Sequence, residues 1–282
     1  MSCYSTLPIQ EKDSAGVNFL YHTAPGRCLL QLLIKPGVSK AMGAFLDTGL
    51  SRHLVTPFAR ATKLDLTDYQ DRPYNSFNDF FTRQVKDGCR AVDTDPRALI
   101  APCDGKLTVY PITDEALFDI KHSVYAVKDL LQDEELAKKF EGGMCLIFRL
   151  TPDDFHRYSF MDQGKISRVE TISGVLHTVR PIAFRRYPVF SENTREFAVL
   201  ETENFGTVIQ MEVGALFVGR IVNHPISTFT RGQEKGKFEF GGSTVILLLQ
   251  KDAAAIDPEL LENTQSGLES IVRLGQKIGT KV

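Results

Sequence analysis

A chain of 282 residues, 43% of them hydrophobic and 24% charged, is long enough to bury a substantial core within one large domain. Its formal net charge of -2 argues against the strongly basic surface that nucleic-acid-binding domains usually carry, so we expect no nucleic-acid partner. The five cysteines are scattered and form no Cys-x-x-Cys pair, which gives no signal of a metal site or a disulfide framework.

The first third of the chain has the spacing of short helices. Residues 1–24 alternate imperfectly and predict an extended lead-in. From Gly26 to about Lys63 the apolar residues recur at helical spacing with prolines between them, so we expect two or three short helices. Ser76 is a good N-cap for a further helix that places the three phenylalanines of residues 77–81 on one face.

An apolar run at residues 28–34 stands out within this helical part. It is far shorter than the ~20 residues that a membrane-spanning helix needs, but with its basic neighbours it suits a helix lying on a membrane surface. An ordinary amphipathic helix packed on the domain is the alternative. Since the first residues lack a basic region followed by an apolar core, we expect no secretory signal and a location on the cytoplasmic side of a membrane.

From Leu99 onward the sequence changes to short β-type runs separated by glycine and proline. The predicted strands are 107–109, 145–150, 164–172, 198–200, 208–213, 216–222 and 245–249.

Two helices accompany these strands. Residues 128–140 have a helical apolar face and a Gly-Gly stop, and a last helix is expected to start at Asp257 and Pro258. That last helix is predicted to include Leu261, Leu268, Ile271, Val272 and Leu274. We therefore predict one α+β domain over residues 1–282. Its helical, membrane-facing N-terminal portion (about 25–85) packs on a β-rich, sandwich or barrel-like body that ends in a C-terminal helix.

Ser243 is the most informative residue of the chain. It follows two glycines and leads into the apolar run 245–249. Because glycine has no Cβ, the Gly242 carbonyl is open to attack by the Ser243 hydroxyl; the alternative is a simple turn before a strand. Asp104, in an Asp-Gly turn, and His156, in a charged cluster, supply the acid and the imidazole that can activate a serine.

Six segments in this order resemble the phosphatidylserine decarboxylases, pyruvoyl-dependent enzymes that make phosphatidylethanolamine. They are YNSFNDFFTR (74–83), APCDG (101–105), DFHR (154–157), YPVFSENTRE (187–196), VGA (213–215) and GST (242–244). A lone Gly-Ser-Thr is a weak signal, whereas six ordered segments from residue 74 to the end form a specific one.

The resemblance implies a zymogen that cuts itself between Gly242 and Ser243. The products are a β-chain (1–242) and an α-chain (243–282) whose Ser243 has become a covalent pyruvoyl group, so that neither a metal nor an external cofactor is expected. Phosphatidylserine in the membrane forms a Schiff base with this group and loses carbon dioxide. By resemblance, Asp104 supports deprotonation of the serine, His156 donates the proton in decarboxylation, and the enzyme is a peripheral membrane homodimer.

Ser159 departs from the family pattern, because it stands where the His-Arg-x-His segment of the family has its second histidine. That histidine is thought to relay between aspartate and serine. Either His156 serves both steps, or another group such as His177 replaces the relay. Arg180 and Arg186 are candidates for binding the anionic head group, since the planar guanidinium matches phosphate and carboxylate oxygens.

Three other functions stay open at the level of sequence. A pyruvoyl enzyme of this type can act on a free amino acid instead of a lipid. A serine hydrolase could use Asp104, His156 and Ser243, although no Gly-x-Ser-x-Gly elbow surrounds the serine. The missing second histidine also allows a membrane-surface homologue that has lost processing.

Overall fold

The computed structural model describes residues 3–9, 13–120, 123–184, 186–216, 220–240 and 243–282. Its helices are α1 (Ala15–His22), α2 (Ala24–Leu33), α3 (Pro36–Leu46), α4 (Val55–Ala61), α5 (Phe77–Phe81), α6 (Val127–Leu131), α7 (Glu134–Lys138), α8 (Pro181–Phe184), α9 (Val189–Glu192) and α10 (Pro258–Gln265), with a 3-10 helix at Gly49–Leu54.

The strands fill most of the remaining chain. They are β1 (Thr6–Pro8), β2 (Ala98–Ile100), β3 (Gly105–Pro111), β4 (Leu117–Ile120), β5 (Ser123–Ala126), β6 (Met144–Leu150), β7 (Arg157–Ser159), β8 (Gly164–Ile172), β9 (Arg195–Thr202), β10 (Gly206–Val213), β11 (Ile221–Asn223), β12 (Thr228–Phe229), β13 (Glu234–Phe238), β14 (Ser243–Leu249), β15 (Ala254–Ile256), β16 (Leu268–Val272) and β17 (Lys277–Lys281).

A nine-stranded sheet organises the chain, with strand order β1-β16-β3-β6-β14-β10-β9-β8-β12 and antiparallel neighbours throughout. A smaller sheet, β11-β13-β7, lies against one of its faces, since Tyr158 and Phe238 share a core cluster with β10 and β14. The α+β class is thus confirmed. Within the described residues the large sheet is open, with β1 and β12 at its edges, so the expectation of a barrel-like body is corrected to an open sheet with a second layer.

Strand β14 lies at the centre of this sheet and is buried along its whole length. Because successive side chains point to opposite faces, Val245 and Leu247 enter one core and Ile246 and Leu248 enter another. The first, which we call the strand-side core, is closed by the smaller sheet and α10. The second, the helix-side core, is closed by helices that include α1, α2, α6, α8 and α9.

The N-terminal helices follow local signals in the sequence. The predicted helices between residues 26 and 63 are confirmed, and the Ser76 hydroxyl caps α5 by accepting a hydrogen bond from Asp79 N at 3.1 Å. The extended lead-in predicted over residues 1–24 is wrong for 15–22, which form α1. The Ser14 hydroxyl caps that helix, and Val17 and Tyr21, four residues apart, pack into the helix-side core.

Two further helix predictions need correction. Residues 128–140 form two short helices, because Gln132 adopts a left-handed conformation (φ 50°) and the Asp133 carboxylate caps α7. The last helix begins at the Asp257 cap as predicted but ends at Gln265, and Gly267 (φ 75°) reverses the chain. Residues 268–272 then form β16, which pairs with β1 and β3.

The remaining strand predictions are largely confirmed, with longer bounds for several strands. The predicted strand at 216–222 lies partly outside the described residues, and β11 covers its end. Across the described ranges, the helices are all too short or too polar to cross a lipid bilayer.

Candidate active site

One edge of the large sheet gathers the ends of its central strands. Strand β14 begins there at Ser243, opposite Leu150 at the end of β6, and Thr244 is opposite Val213 at the end of β10. Strand β3, the next beyond β6, begins at the same edge with Gly105. The antiparallel pairing therefore brings together Ser243, the turn that follows β6 and the loop that precedes β3.

The Ser243 side chain lies in a dry environment. The residue is fully buried, and its Oγ has no hydrogen-bond partner among the described residues. Side-chain alternation along β14 directs it to the strand-side core, together with Val245 and Leu150. An unpaired buried hydroxyl is costly, which is typical of a group held for chemistry. Gly242, predicted to carry the scissile carbonyl, lies outside the described residues.

His156 follows β6 by six residues and is fully buried. Its Nδ1 lies 3.0 Å from the backbone oxygen of Asp154. Because a carbonyl oxygen can only accept, Nδ1 carries the proton and Nε2 presents a lone pair. Nε2 has no partner among the described residues. Burial, helped by the charges of Arg83 and Lys106, lowers the pKa of His156 to about 3, so the ring is neutral at pH 7.

The Asp154 carboxylate fixes the turn that carries His156. It accepts from Lys106 Nζ at 2.7 and 2.8 Å and from Thr151 N at 2.6 Å. Burial raises the pKa of Asp154, and the nearby Lys106 opposes that rise. The side chain of Asp154 thus holds the turn while its carbonyl sets the tautomer of His156.

An aromatic cluster connects His156 with the segment before Ser243. The ring of Phe81, in α5, lies 4.1 Å from the His156 ring and 5.3 Å from the ring of Phe240, centroid to centroid. Phe240 also contacts Phe77 edge-on at 4.9 Å, and its backbone N–H donates to Asn78 Oδ1. The chain is therefore anchored three residues before Ser243 on the same helix that covers His156.

Asp104 precedes β3 and is buried at the same edge. Its oxygens accept from Arg90 Nε and Nη2, the latter at 2.6 Å, and from Leu274 N at 2.9 Å. It lines a cavity of about 320 Å³ together with Asp154. Two strand spacings, roughly 10 Å, separate β3 from β14 across β6. The predicted catalytic role of Asp104 remains a prediction, since both of its oxygens are occupied by other donors.

Ser159, at the position of the missing histidine, has a structural role in this fold. Its backbone N–H donates to the Pro102 carbonyl at 2.8 Å and its hydroxyl lies 3.3 Å from the same oxygen. Gln210 Nε2 donates to the Ser159 carbonyl. The residue thus ties β7 to the loop before Asp104.

His177 lies on the other side of the sheet from Ser243. Its ring stacks on Tyr187 at 4.0 Å, and its Nδ1 is 3.3 Å from the hydroxyl of Tyr21, which belongs to the helix-side core. Asn193 Oδ1 accepts from its backbone N–H. Burial lowers the pKa of His177 to about 4. These contacts favour an anchoring role for α1, and a relay role of His177 stays an untested prediction.

The arginines proposed for substrate binding have different surroundings. Arg180 is partly exposed and its Nη1 lies 3.3 Å from Asp13 Oδ1, whereas Arg186 is exposed. Nearby Arg195 is buried and donates to four backbone carbonyls, which makes it a structural anchor. Sequence reasoning missed Arg83, which is almost fully buried beside His156. Its position two residues after the phenylalanines of residues 77–81 was the available signal.

The described residues include no group of three or more His, Cys, Asp or Glu that could hold a metal ion. Among the described residues, the buried side-chain atoms that lack a hydrogen-bond partner include the Ser243 hydroxyl, the His156 Nε2, and Nε and Nη1 of Arg83. A serine-derived carbonyl group at position 243 fits this arrangement, since it needs a buried first residue and a neutral base rather than ligands.

Comparison with known proteins gives a consistent result. A family model described as phosphatidylserine decarboxylase matches residues 77–280. The chain is 47% identical over 271 residues to phosphatidylserine decarboxylase proenzyme 2 of Clostridium acetobutylicum, covering 96% of this chain and 93% of that protein. It is 39% identical to a phosphatidylserine decarboxylase proenzyme of Ruminiclostridium cellulolyticum over 93% of this chain and 90% of the relative. A proenzyme of the same name from Desulfitobacterium hafniense is 37% identical over 94% and 91%.

Proposed function

The chain belongs to the phosphatidylserine decarboxylase family, and from this membership we propose that it converts phosphatidylserine to phosphatidylethanolamine and carbon dioxide. The observation that carries the proposal is the buried hydroxyl of Ser243, which has no hydrogen-bond partner in the described part of the chain, at the first position of β14 and directly after Gly242 in the sequence. The neutral His156 at the same sheet edge supports it.

The first reaction is self-cleavage. Ser243 Oγ attacks the Gly242 carbonyl carbon, the peptide C–N bond breaks, and the acyl group moves from nitrogen to oxygen. Removal of the Ser243 α-proton then breaks the Cβ–O bond, which releases the β-chain with a Gly242 carboxylate and leaves dehydroalanine. This residue tautomerises to an imine, and water replaces its nitrogen, which leaves as ammonia. The α-chain then begins with a pyruvoyl group.

His156 is suited to both steps of the proposed function. As a neutral imidazole whose Nε2 has no partner among the residues described, it can take the proton of the serine hydroxyl during cleavage. In decarboxylation the ammonium group of the substrate can supply a proton to Nε2. The buried imidazolium is then a strong acid, because burial disfavours the cation, and it can pass this proton to the substrate carbon after carbon dioxide leaves. The pyruvoyl group, when present, supplies the electron-withdrawing carbonyl. Asp154 and Phe81 keep the imidazole in place and exclude water.

Intact mass after denaturing electrophoresis tests this proposal. The active protein should give two fragments joined at 242/243, with a summed mass about 1 Da above the precursor, because water enters and ammonia leaves. The Ser243→Ala variant should give one uncut chain without decarboxylase activity. An active wild-type preparation that consists of a single polypeptide would overturn the proposal. Carbon dioxide release from diacyl phosphatidylserine, compared with free amino acids, decides the substrate class.

We further propose that the N-terminal helices bind the cytoplasmic surface of a membrane. Their exposed apolar side chains are Phe19, Leu29, Leu32, Met42, Phe45, Leu50 and Leu54. Exposed basic residues among them are Lys35, Lys40, Arg52 and Arg60. Apolar side chains that enter the interface, with cations that meet anionic head groups, are the features of a surface-bound helix. A chain that acts on a lipid needs such a surface.

Liposome sedimentation tests this surface. The triple variant Leu29→Glu, Leu32→Glu and Leu50→Glu should bind phosphatidylserine-containing vesicles about 10-fold or more weakly, because three apolar contacts are replaced by charges that the anionic surface repels. Val124→Glu is the matched control, since Val124 is also exposed (64%) but lies in β5. Equal binding of the triple variant and the control would refute the assignment. Homodimerisation, expected from the family resemblance, remains a prediction for analytical ultracentrifugation.

A further inference from the structure

Arg83 is a buried cation whose donors are only partly used. It follows α5, is 1% exposed, and its guanidinium carbon lies 4.2 Å from the ring centroid of Tyr69. Its Nη2 donates to the carbonyls of Asp153 (3.1 Å) and Asp154 (3.3 Å). Nε and Nη1 have no acceptor among the described residues. Because these two nitrogens carry three of the five N–H groups of a guanidinium, most of its donor capacity is unused.

Other buried arginines of the chain differ in this respect. Arg149 forms a two-point ion pair with Glu269, and Arg195 donates to four carbonyls. Within the described residues the hydrogen bonds of Arg83 go to backbone carbonyls and to no carboxylate, although its ring contacts with Tyr69 and Phe80 offset part of its desolvation. A buried charge without a counter-ion is strongly unfavourable, so an anion that joins it gains a large stabilisation.

The unused donors belong to the candidate active site. The Asp154 carbonyl accepts from both Arg83 Nη2 and His156 Nδ1, so those nitrogens are no farther apart than the sum of two hydrogen-bond lengths. Arg83 also contacts Tyr69 and Asp153, which line the cavity of about 320 Å³. That cavity is lined by five aspartates and three basic side chains, whereas the Asp154 carbonyl is shared by Arg83 and His156, so we expect the anion on the His156 side of Arg83.

Resting on the proposed function, we propose that Arg83 binds the phosphodiester of the substrate head group and so positions the serine moiety beside His156. The substrate offers two anions, a carboxylate and a phosphodiester. The carboxylate loses its charge as carbon dioxide forms, so a cation held on it would stabilise the reactant more than the transition state. The phosphodiester keeps its charge throughout, and only two atoms separate its phosphorus from the reacting carbon. A guanidinium matches its oxygens well.

Reductive trapping on the processed protein tests this assignment. Cyanoborohydride fixes an amine on the pyruvoyl α-chain, and intact mass gives the concentration for half-trapping. Glycerophosphoserine and free serine share the amine and the carboxylate, and only the former has the phosphodiester. The wild type should trap glycerophosphoserine at about 10- to 100-fold lower concentration than serine, as expected for charge-assisted hydrogen bonds. Arg83→Gln should lose most of this preference while trapping serine as before.

Matched variants separate recognition from folding. Arg157→Gln should keep the preference, because Arg157 donates to the Thr82 carbonyl next to Arg83 but is paired with Glu234. Arg83→Lys keeps a charge without the planar donors and should retain part of the preference. An unchanged ratio in Arg83→Gln overturns the inference, as does failure of both Arg83 variants to self-cleave, which would assign the residue to maturation. Absence of any serine trapping in the wild type would instead refute the proposed function.

Discussion

The neutral state of buried His156 predicts how the stability of the chain depends on pH. In the unfolded chain a histidine titrates near pH 6.5, whereas in the folded chain the pKa of His156 is about 3. Below pH 6.5 the unfolded state therefore binds a proton that the folded state rejects. The free energy of unfolding then falls with decreasing pH by about 1.4 kcal/mol per pH unit for this residue, until the folded pKa is reached. At pH 5 the loss is about 2 kcal/mol.

Urea unfolding of the Ser243→Ala chain measures this effect, because that variant should remain one polypeptide. The free energy of unfolding is compared between pH 7.5 and 5 with and without His156→Gln. The glutamine variant should lose about 1.4 kcal/mol per pH unit of the slope below pH 6.5. His177, whose pKa burial lowers to about 4, should contribute a similar slope that His177→Gln removes. If His156→Gln leaves the slope unchanged, His156 is not held neutral by burial, and its proposed role as a base loses support.

Three further predictions concern the surroundings of the site. Phe240→Ala should slow self-cleavage and cost about 2 kcal/mol of stability, whereas Phe240→Leu should cost less; a gel time course and thermal unfolding measure both, and an unchanged cleavage rate in Phe240→Ala would contradict the anchoring role. His177→Ala should still self-cleave, and a single uncut chain would instead support the relay hypothesis. Lys106→Met leaves the buried Asp154 carboxylate unpaired and should cost about 3 kcal/mol or more in urea unfolding, whereas Lys138→Met at an exposed pair should change little.

Local signals predicted those parts of the fold that local interactions decide. The Ser76 cap and the apolar run of β14 were readable because a capping hydroxyl and an unbroken apolar stretch act within a few residues. Residues 268–272 were predicted as helix and form β16, since their conformation is set by pairing with strands far away in sequence. The break at Gln132 requires a left-handed residue that the sequence did not signal.

The candidate site was predictable only in part, and mostly through resemblance. The two glycines before Ser243 indicated it as a candidate nucleophile. The roles predicted for Asp104 and His156 came from the family pattern and not from their spacing. The sheet topology that brings all three to one edge depends on strand order, which the sequence does not state. Arg83 was missed because charged residues are rarely buried, so the default expectation for an arginine is exposure.

The position of β14 has a consequence for the lifetime of the mature enzyme. This strand is hydrogen-bonded on both sides, to β6 and to β10, and its first residue is the proposed first residue of the α-chain. In the proposed maturation, the α-chain therefore stays hydrogen-bonded to both neighbouring strands as long as the sheet is folded. An unfolded precursor can refold at a rate that does not depend on protein concentration. An unfolded processed molecule would consist of two separate chains, which must associate before the sheet can form again. Processing is thus expected to make refolding depend on protein concentration, and refolding rates measured over a dilution series would reveal the change.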